Sequence, residues 1–93
     1  MAWTYLLVCS DGSFYVGSTR NLDLRLEQHA AGRVDGFTAR RRPVRLVWAT
    51  EFDRVDEAWA AERQIHGWSR AKKQALVAGD VELLKHLSKN RQV

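Results

Sequence analysis

Cysteine is nearly absent from this chain. Cys9 is the only one in 93 residues, which excludes an intrachain disulfide and any zinc site built on a cysteine cluster. Such a chain suits a reducing compartment, so a cytoplasmic location is expected. Cys9 itself lies in an apolar run and reads as a small core residue rather than a nucleophile. Long apolar runs are missing too. Leu6, Leu7 and Val8 are far too few to span a bilayer, and no basic leader precedes an apolar stretch of signal length. The expectation is a protein neither secreted nor embedded in a membrane. Repeats, low-complexity tracts and linkers are also lacking, so the length points to one compact domain rather than two.

What is present has a globular balance. Hydrophobic residues make up 45% and charged residues 28% of the chain, richer in apolar groups than a disordered chain. Fifteen Lys and Arg oppose eleven Asp and Glu, a formal net charge of +4. On so small a domain that excess favours an anionic partner. The cations are gathered in two places. Arg40, Arg41 and Arg42, with Arg45 nearby, form one cluster, and Arg70, Lys72 and Lys73 form the other. Either alone reads as a solvated face. Two in one short domain shift the reading toward phosphate contacts, with nucleic acid as the partner.

Trp3 to Cys9 and Phe14 to Gly17 are apolar, aromatic and β-prone, and Ser10-Asp11-Gly12-Ser13 between them is a hairpin signal. Val44 to Phe52, just after Pro43, reads as a third strand. Asn21 is placed to cap a helix from Leu22 to about Ala31, closed by Gly32. Asp53 is placed to cap one running to about His66, closed by Gly67. Ser69 is placed to cap a third ending near Gly79, and Asp80 to open a short fourth through Leu83, Leu84 and Leu87. The order β-β-α-β-α-α, with that possible last helix, predicts an α+β fold: a small three-stranded antiparallel sheet flanked by helices. Residues 1–79 form the domain and 80–93 a short C-terminal helix and tail.

Two registers are open for the hairpin. A two-residue turn at Asp11-Gly12 pairs Ser10 with Ser13 and puts Tyr5 and Tyr15 on opposite faces. A three-residue loop, Ser10-Asp11-Gly12, with Gly12 left-handed, pairs Cys9 with Ser13, Leu7 with Tyr15 and Tyr5 with Gly17. Both tyrosines then share a face, because partners in a ladder point the same way.

Five residues sit where a purely structural pattern would not need them. Tyr5 and Tyr15 lie in adjacent strands. Arg25 and His29 are four apart on one helix and share a face. Glu62 lies among Ala58, Ala61 and Ile65, an inward-looking stripe where a carboxylate is costly unless paired or bound to a cation. Each has a plain reading: strand tyrosines as core, Arg25 and Glu62 as a structural salt bridge, His29 as a surface residue. Jointly they offer a phosphate-binding cation, proton-transfer groups and a carboxylate for a hard metal ion, the parts of a phosphodiesterase.

These residues fall in a pattern that resembles the GIY-YIG nucleases. Tyr15-Val16-Gly17 is similar to the second half of the signature, and Trp3-Thr4-Tyr5 to a diverged first half that keeps its tyrosine. Asn21-Leu22-Asp23-Leu24-Arg25-Leu26-Glu27-Gln28-His29 resembles the family's first helix. Glu57-Ala58 through Glu62 and Ile65 resembles the helix with the metal-binding glutamate. Gly67-Trp68-Ser69-Arg70-Ala71-Lys72-Lys73 resembles the tail of the short stand-alone members. Tyr15 lies ten residues after Tyr5 and ten before Arg25, with His29 four further on. Trp3 stands where the first motif has glycine, and the family's late asparagine has no clear counterpart, with Gln74 near the expected place.

The resemblance implies a metal-dependent endonuclease acting on DNA, in preference to RNA, in repair or recombination, as a monomer or weak dimer. By that resemblance Glu62 would hold one Mg²⁺ or Mn²⁺ and Arg25 would grip the scissile phosphate. Tyr15 would help deprotonate the attacking water, with His29 as the rival base, and Tyr5 would orient water or phosphate. The alternative is a nucleic-acid-binding module with weak or lost catalysis. A third class, an interaction protein, would be marked by an exposed Trp59 or Trp68.

Overall fold

The computed structural model describes residues 1–34 and 36–85. Among them the elements run β1 (Ala2–Val8), β2 (Phe14–Thr19), α1 (Leu22–Ala30), α2 (Gly36–Ala39), β3 (Arg45–Phe52), α3 (Val55–His66) and α4 (Arg70–Ala78). The fold is α+β, as the sequence predicts. The addition is α2, four residues long and so too short to show amphipathic periodicity. Residues 81–85 are also helical, and the Asp80 carboxylate accepts the Leu83 N–H at 3.0 Å. Leu87, expected in the same helix, lies outside the described residues.

The hairpin takes the three-residue loop. Cys9 N–H donates to the Ser13 carbonyl at 2.8 Å and Gly12 N–H to the Cys9 carbonyl at 2.9 Å. Gly12 has φ +85°, a conformation that a Cβ makes costly. Asp11 accepts from the Ser13 N–H at 3.0 Å and from its hydroxyl at 2.6 Å, and those bonds hold its carboxyl below the usual range. Tyr5 therefore faces Gly17, and Leu7 faces Tyr15.

The sheet order is β2-β1-β3, antiparallel throughout, so β1 is central and β2 is an edge. Each face of the pleat has its own cover. Leu6 and Val16 meet Ile65 of α3 in the core, with Trp48, Trp68 and Leu76 packed around them. Thr4, on the same face as Leu6, donates to the Ala58 carbonyl at 2.8 Å and docks α3. The other face carries Tyr5 and Leu7, both fully buried, and lies under the α1–α2 side of the molecule.

Local capping sets the helix starts. Asn21 accepts the Leu24 N–H at 3.1 Å and begins α1. Ser69 accepts the Lys72 N–H at 3.2 Å and begins α4. At α3 the expected cap, Asp53, is displaced: the N-cap is Arg54. Glu57 reaches back to the Arg54 N–H at 3.2 Å and Asp56 accepts the Glu57 N–H at 3.1 Å, so acids inside the first turn do the work Asp53 was expected to do. Replacing a side-chain cap removes about 1 kcal/mol. Ser69→Ala should therefore lower Tm by roughly 4–8 °C in a thermal melt, whereas Asp53→Ala should leave it nearly unchanged.

Candidate functional site

The site is organised around Tyr5. Its ring lies across the backbone of Gly17: a Cβ built on Gly17 would fall 2.5 Å from Tyr5 Cζ and closer still to the hydroxyl oxygen. Only glycine permits that approach. The Tyr5 hydroxyl is 2.8 Å from His29 Nε2, and His29 Nδ1 is 3.0 Å from Thr38 Oγ1. All three residues are fully buried. Tyr15 closes the group, its ring centroid 6.5 Å from that of Tyr5 and 5.2 Å from that of His29.

Arg25, one helical turn before His29, lies near enough to the Tyr5 hydroxyl for its charge to favour the ionised form. The chain runs from the Tyr5 hydroxyl through both ring nitrogens of His29 to the Thr38 hydroxyl, with donor and acceptor roles set by the histidine tautomer. Burial pushes the Tyr5 pKa up to about 12, helped by the neighbouring Tyr15 and by Glu62, while Arg25 pulls it down. At neutral pH this tyrosine is a hydrogen-bond group that keeps its proton.

Glu62 arrives from the other side of the sheet. Ser18 stands opposite Thr4 in the ladder, on the α3 face, and its hydroxyl donates to Glu62 Oε1 at 2.5 Å. The sequence places all five residues on one concave surface. The structure gathers Tyr5, Tyr15, Arg25 and His29 on one face and brings Glu62 in from the opposite one. They meet because β2 is an edge strand and Gly17 presents no side chain there. The ion pairs among the described residues are Arg41–Asp11 and Arg54–Asp56, so Arg25 and Glu62 are not partners in a structural salt bridge.

The donor chemistry fits a hard cation. The described residues contain no group of three or more His, Cys, Asp or Glu that could cage a metal. A lone half-buried carboxylate with the Ser18 hydroxyl beside it suits an ion of the magnesium kind, which keeps several waters and binds through one or two carboxylates plus phosphate oxygens. It does not suit a structural zinc site.

The GIY-YIG catalytic domain model matches residues 1–75. The chain belongs to the GIY-YIG family. This is a nuclease superfamily, and similar proteins share nearly the whole chain. A UPF0213 protein of Natronomonas pharaonis is 40% identical over 78 residues, covering 84% of this chain and 92% of that one. A UPF0213 protein of Staphylococcus aureus is 36% identical over 75 residues, covering 81% and 92%. The solution NMR structure of the UPF0213 protein BH0048 from Bacillus halodurans aligns with a TM-score of 0.57 at 38% identity, covering 86% of each chain.

Around this candidate site the basic residues are unevenly available. Arg40 and Arg70 are exposed, Arg70 lying 5.0 Å from the Phe14 ring centroid. Lys73 is half-buried and lines a cleft of about 250 Å³ with Tyr15, Phe37 and His66. Arg41 ties the hairpin to α2: it pairs with Asp11 at 3.1 Å, donates to the Phe37 carbonyl and lies 3.9 Å over the Phe37 ring. Arg42 donates to the Ala39 and Ala30 carbonyls at 3.1 and 3.2 Å, latching α2 to the end of α1. Lys72 departs furthest from the surface cluster expected of it. It is only 6% exposed, with its ammonium 4.3 Å from the Trp68 ring centroid.

Two site residues escape a reading of the sequence. Thr38 lies in the stretch where no element is expected. Ser18 follows Tyr15-Val16-Gly17 directly, and its signal is the register: opposite Thr4, it must face α3.

The Tyr5 environment sets a pH dependence. Its folded pKa lies above the unfolded value of about 10, so the folded state holds its proton more tightly. That contribution to stability is complete below pH 10 and is lost as the pH rises toward 12. Tm should fall between about pH 10 and 12, and Tyr5→Phe should flatten that fall while lowering Tm at pH 7. Thermal melts of both proteins across the alkaline range check it.

Proposed function

We propose that this chain is a metal-dependent endonuclease that hydrolyses phosphodiester bonds in DNA. The observation that carries the reading is the meeting, at the open edge of β2, of the Arg25–Tyr5 pair from one face and Glu62 from the other. A phosphate wants the first and a divalent cation wants the second.

Arg25 binds the scissile phosphate through paired N–H donors and stabilises the charge that builds on it. Tyr5 keeps its proton at neutral pH because its pKa stands at about 12, so it orients by hydrogen bonding and does not act as the base. His29, buried behind Tyr5 with both ring nitrogens in contact with hydroxyls, holds Tyr5 in place. Tyr15, half-exposed at the mouth, first gives its own proton to solvent and, as the phenolate, takes a proton from the attacking water. A free tyrosine has a pKa of about 10, so that ionisation requires nearby cations. A Mg²⁺ or Mn²⁺ ion on Glu62 would supply Lewis-acid stabilisation of the phosphate oxygens. The water oxygen bonds to phosphorus as one P–O ester bond breaks, and the leaving oxygen takes a proton from solvent, giving a phosphate end and a hydroxyl end. Arg40, Arg70 and Lys73 extend the phosphate-binding surface.

The test uses branched, nicked and linear DNA with Mg²⁺, with Mn²⁺ and with EDTA. Cleavage should need metal, and Glu62→Gln should reduce it by about 10²–10³-fold or more. The glutamine oxygen still accepts from Ser18, so Tm should hold, and DNA affinity should stay equal or rise slightly as a negative charge is lost. Full cleavage by a stable Glu62→Gln protein would end the metal-site assignment. A wild type that binds DNA but never cuts it would favour a binding module.

Affinity itself should be salt-dependent, since the cations displace condensed counterions. Binding measured from about 50 to 200 mM salt should weaken steeply. Arg40→Gln and Arg70→Gln should each flatten the slope, and Lys72→Gln should act on Tm rather than on the slope.

A further inference from the structure

Trp59 is 61% exposed. An indole left in water on so small a domain is a costly surface, and its surroundings suggest a use. Trp59 lies on α3 three residues before Glu62, so the two side chains emerge one turn apart. It lines a cleft of about 220 Å³ with Val55 and Ala58, and Ser18, Arg20 and Arg25 line the same cleft. No acidic residue lines it. Among the described residues no aromatic ring or cation stacks on the indole.

We propose that Trp59 is a stacking platform for an unpaired nucleobase next to the phosphate held by Arg25. The proposal rests on the phosphodiesterase reading of the same site and narrows its substrate class. An apolar protein partner on Trp59 would bury Arg20 and Arg25 without anions, at a high desolvation cost. A nucleic-acid strand supplies what both parts of the cleft need within one nucleotide: an anionic phosphate for the arginines and a flat π surface for the indole. A base inside a duplex is stacked on its neighbours and covered at its pairing edge. An unpaired base, in a single strand or at a nick, end or branch, is free to lie on a side chain.

The test measures binding in EDTA, where metal-dependent cutting is suppressed, with three probes of equal length: a mixed-sequence single-stranded DNA, the same backbone made fully abasic, and the paired duplex. The abasic strand keeps every phosphate and removes every base. Wild type should bind the base-bearing strand about 10-fold more tightly than the abasic one. Trp59→Ala should bring the two affinities together, and Trp59→Phe should keep most of the difference. As Trp59 is exposed, its substitution should leave Tm within a few degrees.

Equal wild-type affinity for base-bearing and abasic strands would overturn the platform while leaving phosphate binding intact. A preference for bases that survives Trp59→Ala would overturn it as well. If none of the probes binds, the nucleic-acid reading of the whole site fails with it. Sedimentation without DNA covers the remaining occupant: a dimer abolished by Trp59→Ala would assign the indole to a contact between copies of the chain and overturn the proposal.

Discussion

The contact of the Tyr5 ring with the Gly17 backbone is the constraint on which the rest of the site depends. It exists only because the hairpin is in the register that puts these two residues opposite each other. A one-residue slip would turn Tyr15 away from the α1 face and set a side chain under the Tyr5 ring. Everything nearby presupposes the contact. The Tyr5 hydroxyl reaches His29, His29 reaches Thr38, and Thr38 fixes α2 beneath the end of α1. Arg42 latches the same two helices through the Ala30 and Ala39 carbonyls. Register, ring placement and helix docking are thus one decision made by Gly12 and Gly17.

The second organising fact is that β2 is an edge. A central strand would carry a neighbour where the site now opens. An edge strand also leaves main-chain groups unpaired, which folded proteins protect with charge or cover. Here Arg20 follows the strand and Arg25 stands beside it, so the edge is guarded by cations that discourage strand addition and suit phosphate. One arrangement serves both solubility and the proposed chemistry.

Much of this is legible in the sequence, for reasons that can be named. The hairpin itself is signalled by Ser10-Asp11-Gly12-Ser13, and its two possible registers are both readable, though only the structure chooses the one that gives the tyrosines a common face. Asn21 and Ser69 are capping residues with the right following sequence. Arg25 and His29 share a face by helical spacing alone. The GIY-YIG pattern draws these together and is matched over residues 1–75. What stays hidden is hidden by tertiary context. Four residues of α2 have no period to read. Lys72 looks like a surface cation until Trp68 provides a ring over which to bury it. Arg41 and Arg42 look like phosphate ligands, but the chain folds carbonyls and an aspartate up to them. The side of the sheet from which Glu62 approaches depends on α3 docking through Thr4 and Ile65, which no local pattern encodes.

The separation of Arg25 from Glu62 has its own logic. Two opposite charges at one mouth would lower their energy by pairing, and a pair so formed would have little attraction left for a phosphate or a cation. The sheet edge keeps them apart by mounting them on opposite faces, and each is given a neutral partner instead: Tyr5 for Arg25, Ser18 for Glu62. A hydroxyl holds a charged group in place without cancelling it. Behind them the buried interior is hydrogen-bonded, Tyr5 to His29 to Thr38, which makes the framework rigid. The two charges are therefore left uncancelled, and in the proposed function a phosphate with its divalent counter-ion would satisfy both at once.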